Sequence, residues 1–515
     1  MPEMVPGAMG APGRGGQQVR VGWILVATCG SALLVSANTS VVTAAIPQIG
    51  LALNASQTSL QWVGDAYSLV LAGLLLPCGA LVDRFGRKRG LVLGTMIMLV
   101  SLLWSGVSGS AGELIASRAL AGVGAALMFP GTLATITNVV PADRRGRAVG
   151  MWAASFAFGG AVGTMLSGVT IEFFWWGSAF LPTAVLVAGC LILILVAVPE
   201  TRDPEHSNLD PLGALLSCLA VGAFVLAMTE APVHGWTSGV TLGGAAVGVV
   251  AAFDFLLWQS TNPRPLLNLR LFRNRAFSTG LAAISINFFA GFGWFFLTFQ
   301  YETYVLGYGP IKAALGLMAG GATVVPASAM STTVAARFGR RATITVGLAI
   351  TAGAAVVQAA VGHYSAFLPI GIGFFLMGMG VGLANGPPTE AVIEALPAAD
   401  HGVASALNDT AREFGAAMGI AILGSAFNAG YRSGIRHLAS GLPASVAAAV
   451  RSSPAAGLNA VRRHLTGGSG IGVVHTGVIA GWVAALITTA VIAALGSILV
   501  FVRFPSHARD QAAES

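Results

Sequence analysis

"GALVDRFGRKRG", residues 79–90, sets four cationic side chains and one aspartate in twelve positions of a chain in which only 9% of residues are charged. Apolar sequence leads into it and away from it. A charged turn between two long apolar runs is the pattern of a hairpin with its legs in lipid and its tip in water. Composition agrees. Of 515 residues, 55% are hydrophobic and the mean hydropathy is +0.78, whereas a soluble protein is about 25% charged. So few charges could not coat a water-facing surface, and the bilayer is the expected solvent.

A helix needs about 20 apolar residues to cross a bilayer core. Polar and Gly/Pro breaks divide the chain into fourteen such stretches, at 22–46, 59–82, 90–109, 113–140, 148–170, 178–198, 209–229, 239–259, 277–301, 311–334, 342–361, 366–396, 403–425 and 471–502. An even count puts both termini on one face. That face collects 19 of the 27 lysines and arginines, including the 84–89 cluster, Arg144, Arg145, Arg147, Arg337, Arg340 and Arg341. Positive charge stays cytoplasmic, so both termini are expected inside, and the net charge of +7 reports topology rather than nucleic-acid binding. One external loop, 426–470, is a partial exception, with Arg432, Arg436, Arg451, Arg462 and Arg463. Residues 1–21 and 504–515 read as cytoplasmic tails, the first of them disordered. The apolar run after the first tail is too long for a signal-peptide core and is taken as an uncleaved span.

The chain also repeats itself. "VDRFGRKR" (82–89) returns as "AARFGRRA" (335–342), and the stretch from Leu120 matches the stretch from Leu376 without a gap. At that constant offset Gly122, Gly124, Pro141, Gly159, Gly163 and Gly168 meet Gly378, Gly380, Pro397, Gly415, Gly419 and Gly424. The expected architecture is therefore all-α and integral to the membrane. It has two six-helix bundles, 22–200 and 277–503, joined through two inserted helices and a cytoplasmic linker at 201–276. Repeated halves around a central site are a recurrent transporter design.

These residues resemble the major facilitator superfamily, whose signature between its second and third spans is similar to "GALVDRFGRKRG". Fourteen spans with an inserted pair resemble its fourteen-spanner drug:proton antiporters. The likeness extends to "WVGDAYSLVLAGLLLP", "RALAGVGAA", "PADRRGRAVGMW" and "NDTAREFGAAMGIAILGS". Two departures stand out. The first-span aspartate of the family is Asn38 here, within "NTSVVTAAIP" (38–47), and the antiporter signature GPxxGG is "GTMLSG", which keeps Gly163 and Gly168. The resemblance implies that Asp83 and Arg84 pair with helix ends of the other half and latch the cytoplasmic side, with Arg87 and Lys88 completing the cationic turn. Gly79 and Gly86 would allow close helix approach and a tight turn. Anchoring of the loop beside anionic lipid is the plainer role. Ala336 replaces the aspartate in the second copy, which speaks against a symmetrical second latch.

Ionisable groups inside spans are costly and are commonly functional. Counted from the span ends at 1.5 Å per residue, Asn38, Asp65 and Arg118 fall roughly 8–12 Å below the external mouth. One layer would then hold an amide, an acid and a base, with Asp65 and Arg118 as candidates for proton coupling. An interfacial, wet Asp65 and a structural Arg118 are the alternatives. Asn38 cannot titrate but can bind substrate or Arg118. Glu390, Asp409, Arg412 and Glu413, toward the cytoplasmic ends of spans 12 and 13, read as a salt-bridged gate, with Asp409 and Arg412 on one helix face, a plain solvated helix end being the alternative. With Asn38 unable to titrate, coupling would rest on Asp65 or on Glu390, Asp409 and Glu413. Asp254 and Glu302 read as interfacial. In "NFFAGFGWFFLTFQY" (287–301), Asn287, Trp294 and Gln300 are candidate cavity residues for lipophilic, including cationic, compounds. Lipid-facing aromatics are the alternative there.

Nothing in the chain suggests catalysis: it has no phosphate loop, metal spacing or nucleophile–base set. The four cysteines form no CxxC and the eight histidines offer no i, i+4 pair, so no metal or disulfide framework is expected. Only two of the 27 basic residues are lysine, a usage found in GC-rich bacterial genomes. The leading expectation is an exporter of lipophilic toxic compounds in the cell's inner membrane. It would need no cofactor, would draw on a proton gradient, and would work as a monomer among membrane lipids. A metabolite or nutrient symporter of the same fold is the second reading.

Overall fold

The computed structural model describes residues 14–42, 45–55, 57–201, 210–308, 310–361, 367–396, 401–464 and 469–505. Most of both expected tails and residues 202–209 of the linker lie outside these. Among the described residues the regular structure is entirely helical. The first bundle holds α1 (Arg14–Ser40), a short α2 (Ile46–Ala52), α3 (Gln57–Phe85), α4 (Arg87–Val107), α5 (Ala111–Val139), α6 (Ala142–Phe173) and α7 (Leu181–Ala197). Two inserted helices follow, α8 (Pro211–His234) and α9 (Gly239–Thr261). The second bundle holds α10 (Arg275–Tyr304), α11 (Pro310–Phe338), α12 (Arg340–Val361), α13 (Phe367–Leu383), α14 (Gly386–Glu394), α15 (His401–Ile435) and α18 (Ser469–Arg503). Between its last two long helices it carries α16 (Ala444–Ser452) and α17 (Pro454–His464). Helix α1 begins at Arg14, inside the stretch expected to be a disordered tail. Four of residues 14–20 are Gln or Arg, which favour helix, once past the Pro-rich start.

Among the described residues twelve helices are long and apolar enough to cross a membrane, against fourteen expected. Helices α11 and α13 are not among those twelve. The C-terminal part of α11, "GGATVVPASAMSTTVAARF" (320–338), is rich in Gly, Ser and Thr. The 17 residues of α13 are parted from α14 by a turn at 384–385, because Pro387 and Pro388 supply no N–H to carry the helix through. Both nevertheless occupy the places that the repeat requires. Helix α11 packs on α13 as α3 packs on α5, and α12 packs on α13 and α18 as α4 packs on α5 and α7. The two charged turns correspond as well. Gly86 and Gly339 break the helices at φ of 119° and 87°, a backbone that side chains with a Cβ rarely adopt.

The closest helix pairs repeat glycine for glycine. A Cβ on Gly159 or Gly163 of α6 would overlap the backbone of Leu33 or Ala37 on α1, and one on Gly415 or Gly419 of α15 would overlap Ser285 or Phe289 on α10. Small residues four apart let helix backbones approach this closely. These four helices form the inner walls of the protein. The bundles meet where α6 packs on α11 and where α3 packs on α15. On the second seam lies α8, against both α3 and α15, with Phe224 stacked on Phe414 at 4.6 Å and Trp236 donating to Ser425 Oγ at 2.9 Å. The insert is pinned at its base by Asp210, which accepts from Gly213 N, Trp258 Nε1 and Gln259 Nε2. Burial raises the Asp210 pKa, but these bonds outweigh it and hold the carboxyl below its usual value.

Large apolar side chains point outward along the perimeter helices, among them Val107, Val185, Val196, Val249, Leu495 and Val502. That is the surface of a protein solvated by lipid. Leucine at Gly163 or Gly419 is expected to force the paired backbones apart, an overpacking of about 1–3 kcal/mol. Gly168, where a Cβ meets open space, should accept alanine without loss. Melting curves of the detergent-purified variants check this, with Gly163→Leu and Gly419→Leu several degrees lower and Gly168→Ala unchanged.

Candidate functional site

A cavity of about 570 Å³ lies between the bundles, lined by α1, α3, α6, α8, α10, α11, α13 and α15. Its lining reaches Ile46 and Gln300, near the helix ends opposite the charged turns. On the charged-turn side the halves are in contact. Ser328 Oγ donates to Gly150 O at 3.1 Å and Ser405 Oγ donates to Pro130 O at 3.0 Å. The protein is thus closed at the face of the charged turns and hollow toward the other.

Of the expected cavity residues, Asn287, Trp294 and Gln300 line this space, as does Asp65. The aromatic run of α10 therefore faces inward, not lipid. Trp294 is fixed by its Nε1 donating to Gln358 Oε1 at 3.0 Å and by an edge contact with Phe374. Asn287 Nδ2 donates to Val381 O at 3.2 Å. Asn38 and Arg118 come together beside the cavity and are fully buried. Arg118 donates from Nη1 to Asn38 Oδ1 at 2.7 Å, from Nη2 to Asn38 O at 2.8 Å and from Nε to Val63 O at 3.3 Å. Its guanidinium lies over the Tyr67 ring at 4.9 Å. Arg118 is thus bonded to the amide of the proposed layer. Asp65, in the turn after Gln61, faces the cavity.

The expected gate divides into three parts. Glu390 sits with Glu394 around Arg340, at 3.5 and 2.6 Å, and its carboxylate lies against Gly146 of the first bundle. Asp409 and Arg412 are fully buried but form no ion pair within 4 Å. Asp409 Oδ1 accepts from Asn408 Nδ2 at 2.9 Å. Arg412 donates from Nη2 to Thr389 Oγ1 at 2.9 Å and lies over Trp152, Phe288 and Phe156 at 4.7, 4.6 and 5.7 Å. A guanidinium from one half is thereby held against aromatic rings of the other, a contact favoured by the ring quadrupole. Glu413 lines the cavity. Twelve residues into α15, at 1.5 Å per residue, it has climbed about 18 Å.

The charged turn makes local contacts. Asp83 pairs with Arg87, one helical turn on, at 2.8 Å, both nearly fully buried. Arg84 is exposed and lies by the Phe85 ring. Lys88 Nζ donates to Leu195 O at 2.9 Å, its backbone N–H donates to Glu200 Oε1, and Arg87 N donates to Thr201 O. These partners belong to the same half, so the turn lashes α4 to the end of α7. A Cβ on Gly86 would meet the Glu200 carboxylate. Gly79 is buried within α3. Glu302 was missed by the sequence: it is 1% exposed, not interfacial. The cavity's hydroxyls and the rings around Arg412 were missed too. Only the i, i+4 spacing of Trp152 and Phe156 hinted at them.

Two related bundles around a cavity lined by acids and aromatic rings define a secondary transporter, a protein that moves small molecules rather than transforming them. The chain matches the Major Facilitator Superfamily over residues 28–420 and belongs to it. It is similar to the multidrug efflux pump LfrA of Mycolicibacterium smegmatis, at 32% identity over 80% of this chain and 82% of that one. It is also similar to the methyl viologen resistance protein SmvA of Salmonella typhimurium, at 31% over 81% and 85%. Among solved structures, the proton:xylose symporter XylE shares the fold at a TM-score of 0.60 and 14% identity, over 95% of this chain and 97% of that one. The protein is a multi-pass transporter of the inner membrane, not an enzyme.

Asn38→Leu should strand the buried Arg118 guanidinium, a change expected to cost about 3–5 kcal/mol. Asn38→Asp keeps an acceptor in place and should not. Yield and melting temperature of the two purified variants separate them.

Proposed function

We propose that this protein exports lipophilic, including cationic, compounds from the cell in exchange for protons, by alternating access. It would cross the membrane fourteen times with both termini in the cytoplasm. One observation carries the reading: the cavity between the two bundles places two carboxylates, Asp65 and Glu413, among aromatic side chains. Acids in an apolar chamber suit both a cation and a proton, and the two compete for the same charge. The relatives named for multidrug efflux and methyl viologen resistance support export. Counting α11 and α13–α14 with the other twelve gives fourteen spans, and the basic turns then face the cytoplasm as the charge rule requires. The proton gradient is the energy source, with no cofactor.

Because Asn38 cannot carry a proton, coupling falls to Asp65 and Glu413. Asp409, buried one turn before Glu413 on the same helix, stands beyond the cavity wall. Contacts across the halves at Ser328–Gly150, Ser405–Pro130 and Arg412–Trp152 close the cytoplasmic side in this state. Proton binding from outside would displace a cationic substrate and favour the return.

Ethidium efflux from preloaded, efflux-deficient cells tests the reading. Efflux should stop on adding a protonophore. Asp65→Asn and Glu413→Gln should each slow it at least tenfold at unchanged protein level, the loss of a charge partner being about 1.4 kcal/mol or more. Efflux indifferent to the protonophore would remove the proton. Efflux indifferent to both substitutions would remove these acids from the coupling.

A further inference from the structure

We infer that the outward end of the second bundle docks anionic phospholipid of the outer leaflet, with Arg432 and Arg451 among the headgroups, a reading that rests on the orientation in which the charged turns are cytoplasmic.

Positive charge is ordinarily kept on the cytoplasmic side. The segment between α15 and α18 nevertheless carries Arg432, Arg436, Arg451, Arg462 and Arg463, and no Asp or Glu occurs between Glu413 and Asp510. All five arginines are exposed. Among the described residues none of them pairs with an acid.

This charge rides on a built element. Helices α16 and α17 form a hairpin whose inner face is apolar, with Val446, Val450, Leu458 and Val461 buried. A Cβ on Gly457 would press on the Val450 backbone and on the Val474 side chain of α18. Tyr431 of α15 donates its hydroxyl to Val450 O at 2.8 Å. The hairpin is therefore fixed to both long helices. Arg432 and Arg451, each next in sequence to a partner of that bond, are held at about one level.

Height decides what they meet. Trp482 lies 21 residues before the end of α18 at Arg503, about 31 Å of helix, which is the thickness of the hydrocarbon core. Over that length α18 turns Ile487, Val491, Leu495 and Val502 outward. Trp482, stacked on Tyr301 at 4.3 Å, thus marks the outer edge of the core, and Phe427 of α15 lies beside it against Gly481. Arg432 is five residues past Phe427, about 8 Å farther out. Headgroups add roughly 5–8 Å on each side of the core, so the guanidinium stands at their depth. An arginine fork suits a phosphodiester, which it can grip with two parallel N–H bonds. With no acid of its own nearby, the pair is left for the lipid.

The test uses purified full-length Ser452→Cys, labelled beside Arg451 with an environment-sensitive fluorophore and titrated in detergent with phosphatidylglycerol or phosphatidylcholine. Wild type is the blank for the four native cysteines. Phosphatidylglycerol should shift the emission at a concentration at least tenfold below that of phosphatidylcholine. Arg432→Gln with Arg451→Gln should raise the phosphatidylglycerol midpoint at least tenfold, at about fivefold per arginine, and leave the phosphatidylcholine midpoint and the lipid-free melting temperature unchanged. Arg432→Gln alone, with its fivefold loss, serves if the double variant does not fold. The inference is overturned if the two lipids act alike, or if the substitutions leave the phosphatidylglycerol midpoint where it was. It is also overturned, in favour of an acidic protein partner, if soluble polyglutamate shifts the emission and phosphatidylglycerol does not. In each of these cases the exporter reading stands. Ser452→Cys that reacts with a membrane-impermeant maleimide only after the cells are opened would instead overturn the orientation, and the outer leaflet with it.

Discussion

Two backbone-to-backbone contacts set the geometry on which the rest depends. Where α6 meets α1 and where α15 meets α10, glycines four residues apart bring one helix's backbone against the other's. In lipid there is no hydrophobic force to press helices together, so close packing and interhelical polar contacts must hold them. Each pair then behaves as one thick strut. The residues that line the cavity from α6 and α10, among them Thr164, Phe288 and Phe292, inherit their positions from these struts. A chamber built on rigid pairs can keep its wall chemistry while the two halves move.

Buried charge is the second constraint, and each half meets it with one arginine. Arg118 is satisfied by the oxygens of Asn38 and Val63, a neutral solution that needs no acid. Arg412 relies on one hydroxyl and three aromatic faces, two of them across the interface. The first is internal to its bundle, while the second holds only as long as the halves are closed on that side. Opening would strip Arg412 of Trp152 and Phe156, leaving Asp409 and Glu413 on its own helix as the charges nearest to hand. Cation–π contact in place of an ion pair costs the closed state little and leaves those acids available.

Much of the architecture could be read from residues whose roles are geometric. The offset that aligns Gly159 and Gly163 with Gly415 and Gly419 survives because only glycine fits those contacts, so backbone proximity leaves a mark in the sequence. The turn glycines Gly86 and Gly339 are legible for the same reason. Depth along a helix was legible too, which is why Asn38 and Arg118 were brought together correctly. Local partners were harder to read: Asp83 pairs with Arg87 within one turn, and Lys88 reaches Leu195 and Glu200, contacts that the local sequence does not single out. Glu413 was read as near a helix end although it lies ten residues into the expected span 403–425, roughly 15 Å at 1.5 Å per residue, a depth that reaches the chamber. Glu302 was misread because an apparent helix end is wet only if no neighbour covers it.

The asymmetry between the halves follows from the insert. A bare two-fold pair of bundles would present two equivalent seams, α6 with α11 and α3 with α15. Here α8 lies along the second seam and contributes Val225 and Thr229 to the cavity, while Asp210 fixes its base against α9. The same repeat that built two similar halves has therefore diverged at the one place where they face each other. The described hydroxyls of the lining lie on the first bundle and the insert, and most of its rings on the second bundle, which also brings Asn287, Gln300, Asn385, Glu413 and Asn428. The lashing of α4 to the end of α7 at Leu195, Glu200 and Thr201 completes the division, since it ties the first bundle together just before the chain leaves for the insert.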